Sequence, residues 1–365
     1  MKKHIAVLEG DGIGPEIMAE ALKVLEVVTR KYNHDITTEK APFGASAYFE
    51  FGASFPEKTK EICDNADAIM KGPVGLAVED MKKIPLEERP EKAAILPLRA
   101  RYNTYANYRP VILPKELADF SPLRPEIIGE GLDILMIREL VGGIYFGDKV
   151  EGVHTDDTYS HDNCAYSRAE VEQIARIAFK EAMLHRKHLV NVHKANVLAT
   201  SRFWNSIVDE VHKEFPEVTL DSVLVDNAAY QLVKNPTQFN GVMLLENMQG
   251  DIITDQAGGV LGSLGLMPSA CVGKDKGYVE PAHGSAPDIA GKNIANPYSM
   301  IGSVALMFDK LFGCKKEANS IWAALFNVFA KGFRTQELAG KSTPKEKILS
   351  TTAFGDMVVE YIEQN

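Results

Sequence analysis

The 365-residue chain predicts an α/β fold of two domains. Three observations predict it. Short apolar runs of strand length alternate with longer runs whose apolar residues recur at helical spacing. No period of 20–50 residues repeats, which excludes solenoids and propellers. No flexible, low-complexity linker interrupts the chain, so the two domains share it intimately instead of hanging as beads.

The elements follow in order. Residues 4–8 form a short apolar strand that ends in Gly10-Asp11-Gly12-Ile13-Gly14-Pro15. Pro15 suits the first position of a helix. Ile17, Ala21, Val24, Leu25 and Val28 then fall on one helical face. The glycine run fails the G-x-G-x-x-G pattern because Pro15 stands where the third glycine belongs, which argues against a conventional Rossmann site and for a tight strand-to-helix turn. Residues 68–70 form a strand ending at Gly72-Pro73, and 74–91, polar and proline-containing, form a loop. Residues 133–137 form a strand that leads into Arg138. The polar stretch 148–166 lacks periodicity and is either a surface excursion or an arm used in assembly. Ser167-Arg168-Ala169-Glu170 is a capping box. It opens a helix with Val171, Ile174, Ala175, Ala178 and Ala182 inward. A strand at 188–193, a helix at 200–213 and a strand at 223–225 come next, the last entering a helix at Asp226. Residues 241–245 form a strand whose helix opens near Gly250. After the glycine-rich 258–268, helices at about 297–312, 316–332 and 353–364 complete the chain.

Composition narrows the function. Forty Lys and Arg against fifty Asp and Glu give a net charge of −10, which argues against wholesale binding of a phosphate backbone. An anionic substrate would need local arginines. Cys63, Cys164, Cys271 and Cys314 are far apart and form no C-x-x-C, as expected of reduced thiols in a cytoplasmic protein. The start of the chain lacks the ~7–15 apolar residues of a signal peptide. No run reaches the ~18 apolar residues of a membrane span. The expectation is a soluble cytoplasmic protein.

Several residues stand out chemically. Arg99, Arg109 and Arg138 lie in apolar surroundings, where a guanidinium needs a partner. They are either structural ion pairs or a site for a polycarboxylate, whose oxygens match the guanidinium fork. Asp251 and Asp255 share a helix face at i, i+4 and repel each other unless a cation lies between them. With Asp226 they offer hard oxygens for Mg²⁺ or Mn²⁺, or else they cap helices. Lys194 ends an apolar strand, as a base or as a surface lysine. Tyr145 is flanked by glycines in Gly142-Gly143-Ile144-Tyr145-Phe146-Gly147, as a functional phenol or a core residue. The loop from His283 to Lys292 is rich in small residues and either cradles phosphates or is a surface turn.

Taken together, GDGIGPE, LPLR, YANYRP, RELVGGIYFG, YSRAEVEQIARIAF, HKANVLATSRFW, VDNAAYQLVKNP, GDIITDQAGG and EPAHGSAPDIAGKNIANP occur in an order that resembles the isocitrate/isopropylmalate family of β-decarboxylating dehydrogenases. The resemblance runs nearly the whole chain. It implies the two-domain α/β fold of that family, distinct from the Rossmann fold, with 1–104 plus 256–365 as the first domain and 105–255 as the second. It also implies a homodimer interlocked by an arm near 148–166, whose sites take residues from both protomers.

By the same resemblance, Arg99, Arg109 and Arg138 would hold two substrate carboxylates. Asp251 and Asp255 would hold Mg²⁺ or Mn²⁺ together with the partner's Asp226. Tyr145 would be the acid, with the partner's Lys194 part of the base system. Glu91, Asn196 and the loop residues His283, Gly284, Ser285, Ala286, Pro287, Asp288, Ile289 and Asn296 would contact the dinucleotide. Asp288 stands where an acid accompanies NAD and a cation accompanies NADP, so NAD is expected. Ala93 and Ile95 replace the Ser and Asn of isocitrate-specific relatives, and with the partner's Val197 they make an apolar wall suited to an isopropyl group, against which a third carboxylate would be costly. The implied activity is metal-assisted, NAD-dependent oxidative decarboxylation of an isopropyl-bearing 2-hydroxy diacid in leucine biosynthesis. The alternatives are isocitrate, homoisocitrate or a malate- or tartrate-like substrate, and a noncatalytic regulatory subunit of the same fold. His193 before the lysine, Gln249 before Gly250-Asp251, and the 74–91 loop depart from the usual isopropylmalate pattern.

Overall fold

The N-terminal strand β1 (Lys2–Leu8) buries Ile5, Ala6, Val7 and Leu8 and turns at the glycine run into helix α1 (Gly14–Lys31). The computed structural model describes residues 1–150 and 158–364. Pro15 sits in the first turn of α1, where its missing N–H is no loss. Ile17, Ala21, Val24, Leu25 and Val28 are all buried, as their spacing predicts. Gly12 has φ +57°, and a Cβ there would stand 2.1 Å from Ser285 O. The close approach that a Rossmann turn offers to a pyrophosphate is occupied here by backbone.

Strand β2 (Asp35–Lys40), helices α2 (Ala45–Phe51) and α3 (Glu57–Asn65) and strand β3 (Ala68–Lys71) follow. The 74–91 segment is not a bare loop. Helix α4 (Val78–Met81) and a 3₁₀ turn at Leu86–Glu88 lie within it, and a π-helical turn at Glu91–Ile95 feeds α5 (Leu96–Arg101). Polar residues hide these turns from apolar periodicity, while Lys82–Glu79 and Lys83–Asp80 pairs support them at i, i+3.

Next come β4 (Ala106–Pro114), α6 (Pro125–Ile128), β5 (Gly131–Glu139), β6 (Lys149–Val150) and β7 (His161–Asp162). Helix α7 (Arg168–Leu184), β8 (His188–His193), α8 (Ala199–His212), β9 (Thr219–Leu224), α9 (Val225–Lys234), β10 (Gly241–Leu245) and α10 (Asn247–Leu261) follow. Their sheet has the order β4-β5-β10-β8-β9, parallel except for the antiparallel pair β4/β5.

The capping box forms: Ser167 accepts from Glu170 N, and the Glu170 carboxylate accepts from Ser167 N. Val171, Ile174, Ala175, Ala178 and Ala182 are buried. Three boundaries that bear on the site differ from the sequence reading. Arg138 lies inside β5, opposite Asn107 of β4, because the β4/β5 ladder continues to Glu139. β9 begins at Thr219, since its polar Asp221 and Ser222 conceal a strand that pairs with β8 along its whole length. α10 opens at Asn247, because the Glu246 carboxylate accepts from Met248 N and Gln249 N and caps it. The expected arm falls partly on residues 151–157, which lie outside the described residues; its flanks pair as the antiparallel ribbon β6/β7.

The chain then returns through the antiparallel pair β11 (Pro268–Val272) and β12 (Gly277–Pro281) to α11 (Tyr298–Leu306), α12 (Lys315–Ala330), β13 (Arg334–Thr335), β14 (Ile348–Leu349) and α13 (Thr351–Gln364). β12 joins β3 in parallel, giving a second set of strands in the order β2-β1-β3-β12-β11. Helices α1, α11, α12 and α13 pack together. Two compact units result: Met1–Tyr102 with Gly262–Asn365, and Asn103–Leu261. Among the described residues, no helix is long and apolar enough to cross a membrane.

Candidate active site

In the second unit, α10 presents Asn247, Asp251 and Asp255 at four-residue intervals on one face. Neither aspartate caps the helix. Beside them, β5 delivers Arg138, which is wholly buried. Its Nη1 donates to Asp251 Oδ1, and its Nη2 donates to Asn247 Oδ1 at 2.8 Å. Gly250 makes room for this guanidinium's stem, since a Cβ there would lie 2.6 Å from Arg138 Cγ. Arg109 on β4 is also buried. Its Nη1 donates to Thr254 Oγ1 at 2.5 Å and stands 3.5 Å from Asp255 Oδ1. Arg109 Nε is buried without a hydrogen-bond partner. Burial pushes the Asp255 carboxyl above the usual range; Arg109 opposes the shift and Asp251 reinforces it.

Tyr145 belongs to the 3₁₀ turn Gly143–Tyr145. Its hydroxyl donates to Asp251 Oδ2 at 3.0 Å, and its ring centroid is 5.9 Å from Arg138 Cζ. The turn needs its two glycines. A Cβ on Gly142 would lie 2.7 Å from the Tyr166 ring, and one on Gly143, where φ is +73°, 2.3 Å from Tyr166 Oη. Glu139 fixes the turn from behind by accepting from Val141 N at 2.8 Å and from Gly142 N. Burial raises the Glu139 carboxyl to about 7, against the lowering effect of those N–H groups. Tyr166 donates to Glu246 Oε2 at 3.0 Å and accepts from Asn247 N, which ties the turn to the cap of α10.

A second constellation lies at the ends of β8 and β9. His193 pairs with Leu224 in register, so Lys194 and Asp226 emerge side by side. Lys194 Nζ donates to Asp226 Oδ1 at 2.6 Å, and this lysine holds the carboxyl below its ordinary value. Asn196 and Val197 next to it are exposed. Among the described residues, Asp226 is not within shared ligand distance of both Asp251 and Asp255 in one chain.

The first unit holds the rest. Arg99 on α5 is buried, and its Nε donates to Tyr278 Oη at 3.4 Å. Burial disfavours its charge, but Tyr278, Glu280 and Cys271 outweigh burial and raise its pKa. Ile95 is half-buried and Glu91 exposed in the preceding turn. The loop after β12 borders a cavity of ≈ 590 Å³ lined by Ile13, Leu264, His283, Gly284, Ala286, Ile289 and Asn296, among others. His283 Nε2 is buried there without a partner, and burial lowers the ring's pKa, which keeps the imidazole neutral. Ser285 is buried and its carbonyl accepts from Ile13 N at 2.8 Å, while Pro287 and Asp288 are exposed.

The family profile of isocitrate/isopropylmalate dehydrogenases matches residues 4–358. A 3-isopropylmalate dehydrogenase of Halalkalibacterium halodurans is 46% identical over 365 residues, covering 100% of this chain and 98% of the relative. One from Thermotoga maritima is 46% identical over 360 residues, 99% of each chain. Among solved structures, the isocitrate dehydrogenase from Methylococcus capsulatus superposes with a TM-score of 0.85 at 31% identity over 100% of both chains.

The chain belongs to the isocitrate/isopropylmalate dehydrogenase family.

Within this family member, Arg109, Arg138, Tyr145, Asp251 and Asp255 converge in one unit, and Lys194 meets Asp226 separately in that unit. Sequence reasoning missed the partners that hold them: Asn247, Thr254, Tyr278, and the group Glu139, Tyr166 and Glu246. Asn247 was findable, because it extends the Asp251, Asp255 spacing by one turn towards the N-terminus. The glycine pair at 142–143 signalled that something large approaches, although nothing in the sequence named Tyr166.

Proposed function

We propose that this protein is the NAD-dependent dehydrogenase that oxidatively decarboxylates (2R,3S)-3-isopropylmalate to 4-methyl-2-oxopentanoate and CO₂ in leucine biosynthesis, in the cytoplasm. One observation carries the reading: a buried guanidinium, Arg138, and a phenol, Tyr145, meet on a single carboxylate, Asp251. The 46% identity to named 3-isopropylmalate dehydrogenases over the full chain favours this substrate within the family.

The residues fit a divalent cation. Asp251 and Asp255 place two hard carboxylates on one helix face, and the rise that burial and Asp251 impose on the Asp255 carboxyl is of the kind a bound cation offsets. We assign the ion to these two residues and to Asp226 of the other protomer. When bound, Mg²⁺ or Mn²⁺ supplies Lewis-acid polarisation of the substrate's oxygens. The residues also fit a dinucleotide: the cavity beside His283 has a buried ring nitrogen lacking a partner and a neutral imidazole. The loop His283 to Ile289 and Asn296 would hold it, with Glu91 and Asn196 as further contacts. The exposed acid at Asp288 favours the ribose hydroxyls of NAD over a 2′-phosphate.

In this reading Arg99, Arg109 and Arg138 bind the two malate carboxylates through their guanidinium forks. Ile95 and Val197 receive the isopropyl group. The partner's Lys194 and Asp226, hydrogen-bonded to each other, together form the base system for the proton of the C2 hydroxyl. Tyr145 gives a proton to C3 after CO₂ has left. The exposed apolar residues Val197, Phe203, Tyr230, Val233 and Ile252 support a homodimer that brings Lys194 and Asp226 to the other protomer's Asp251.

The test is an NADH assay over 3-isopropylmalate, isocitrate, homoisocitrate, malate and tartrate, with NAD⁺ and NADP⁺, with and without EDTA. Fastest turnover is expected with 3-isopropylmalate and NAD⁺, abolished by EDTA. Preference for another acid would overturn the substrate, and inactivity on all of them would favour a noncatalytic subunit.

A further inference from the structure

His34, Cys314 and Glu317 take no part in the chemistry above, yet the first unit brings them together from distant sequence. His34 lies in the turn between α1 and β2, and Cys314 and Glu317 open α12. One ligand atom from each, a ring nitrogen, the thiol sulfur and a carboxylate oxygen, all lie within 4.8 Å of one another; among the described residues no other His, Cys, Asp and Glu set of three does so. His34 Nε2 is 2.8 Å from Glu317 Oε1, with the side chains only 10% and 11% exposed.

The donors are pre-oriented. Asn33 and Gly313, at φ +53° and +68°, supply tight left-handed turns directly before His34 and Cys314. The His34 ring is stacked beside Tyr32 and Phe308, each at 6.3 Å. Cys314 N donates to Phe308 O at 2.7 Å. Met1 Sδ, a further soft donor, stands 3.7 Å from Cys314 Sγ.

We propose that His34, Cys314 and Glu317 form a binding site for a thiophilic divalent cation of the zinc type. Nitrogen, thiolate and one carboxylate oxygen suit Zn²⁺, which takes three such protein ligands with the fourth position left to water or the thioether. The same set is poor for Mg²⁺ or Ca²⁺, which demand an oxygen-rich shell. The site is chemically distinct from the all-carboxylate set on α10. Binding would pin the α1–β2 turn to the start of α12, so the cation stabilises the first unit and does not react.

Cobalt reports this directly, because only a thiolate ligand gives a sulfur-to-cobalt charge-transfer band. The full-length protein, saturated with Mg²⁺ to fill carboxylate sites, is titrated with Co²⁺ and then with Zn²⁺. One equivalent of Co²⁺ per chain should produce the band, and Zn²⁺ should abolish it. Cys314→Ser should lose the band, and Glu317→Gln should weaken Co²⁺ binding at least about tenfold, both with unchanged dehydrogenase turnover. Zn²⁺ should raise the melting temperature of the wild type but not of Cys314→Ser. Absence of the band in the wild type, or its persistence in Cys314→Ser, would overturn the proposal and leave His34 and Glu317 as a hydrogen-bonded pair.

Discussion

The Tyr145 hydroxyl lies 3.0 Å from Asp251 Oδ2, on the carboxylate whose other oxygen accepts from Arg138. The phenol is therefore aimed by a group assigned to the cation. Removing the hydroxyl should leave substrate capture nearly intact and slow the protonation it serves. Tyr145→Phe is expected to lower kcat by ~10²–10⁴-fold with little change in KM. Steady-state kinetics separate the two, and a raised KM with unchanged kcat would remove Tyr145 from the acid role.

Arg109 uses one terminal nitrogen on Thr254 and stands 3.5 Å from Asp255. A lysine offers no bidentate fork and a more strongly hydrated charge. Arg109→Lys should raise KM for the diacid about tenfold or more, the loss of roughly one charge-assisted hydrogen bond. An unchanged KM would mean that this guanidinium serves the fold alone.

Much of this site was legible because its chemistry depends on residue types that stand out in apolar sequence. Arg99, Arg109 and Arg138 were visible as charges among Leu, Ile and Tyr, and the Asp251, Asp255 pair as a helical interval. The capping box at Ser167 and the buried face of α7 were legible for the same local reason. What stayed hidden depends on long-range packing. Tyr166 reaches the Gly142-Gly143 turn only in the folded unit, and Glu246 caps α10 through backbone contacts that carry no spacing signature. The edge strand β9 was obscured because its consecutive residues Asp221 and Ser222, which point to opposite faces, are both polar and exposed, breaking the apolar alternation.

Glu139 gives a pH prediction. Burial raises its carboxyl to about 7, so the fold holds a proton there that the unfolded chain has already released above the ordinary glutamate range. Its contribution to stability is fully present at lower pH and is lost as pH rises through about 7. Glu139→Gln keeps a carbonyl oxygen for Val141 N and Gly142 N but cannot ionise. Between pH 5 and 8 the wild type should lose stability relative to this variant by up to ~1.4 kcal/mol per pH unit, the slope of one proton. Denaturant melts at several pH values measure it, and parallel curves for the two proteins would refute the assignment.

Among the described residues Asp226, held by Lys194, does not come within shared ligand distance of both Asp251 and Asp255 in one chain, and this makes the sharpest prediction. If a working site combines Lys194 of one protomer with Asp251 of the other, Lys194→Ala and Asp251→Asn proteins are each inactive for different reasons. When their subunits are dissociated and reassociated together, a mixed dimer has one site carrying both defects and one carrying neither. Random pairing makes half of the dimers mixed, so activity should return to about a quarter of wild type in a symmetric C₂ assembly. Simple mixing without dissociation should restore nothing, which guards against contamination. Sites built within single chains would instead leave every reassociated dimer inactive. Ile252→Glu tests the same geometry from outside: Ile252 is 61% exposed on α10, one residue from Asp251. A charge there should shift the protein towards monomers in light scattering and remove turnover together with the dimer. A fully active monomer would show that the aspartates need no second subunit.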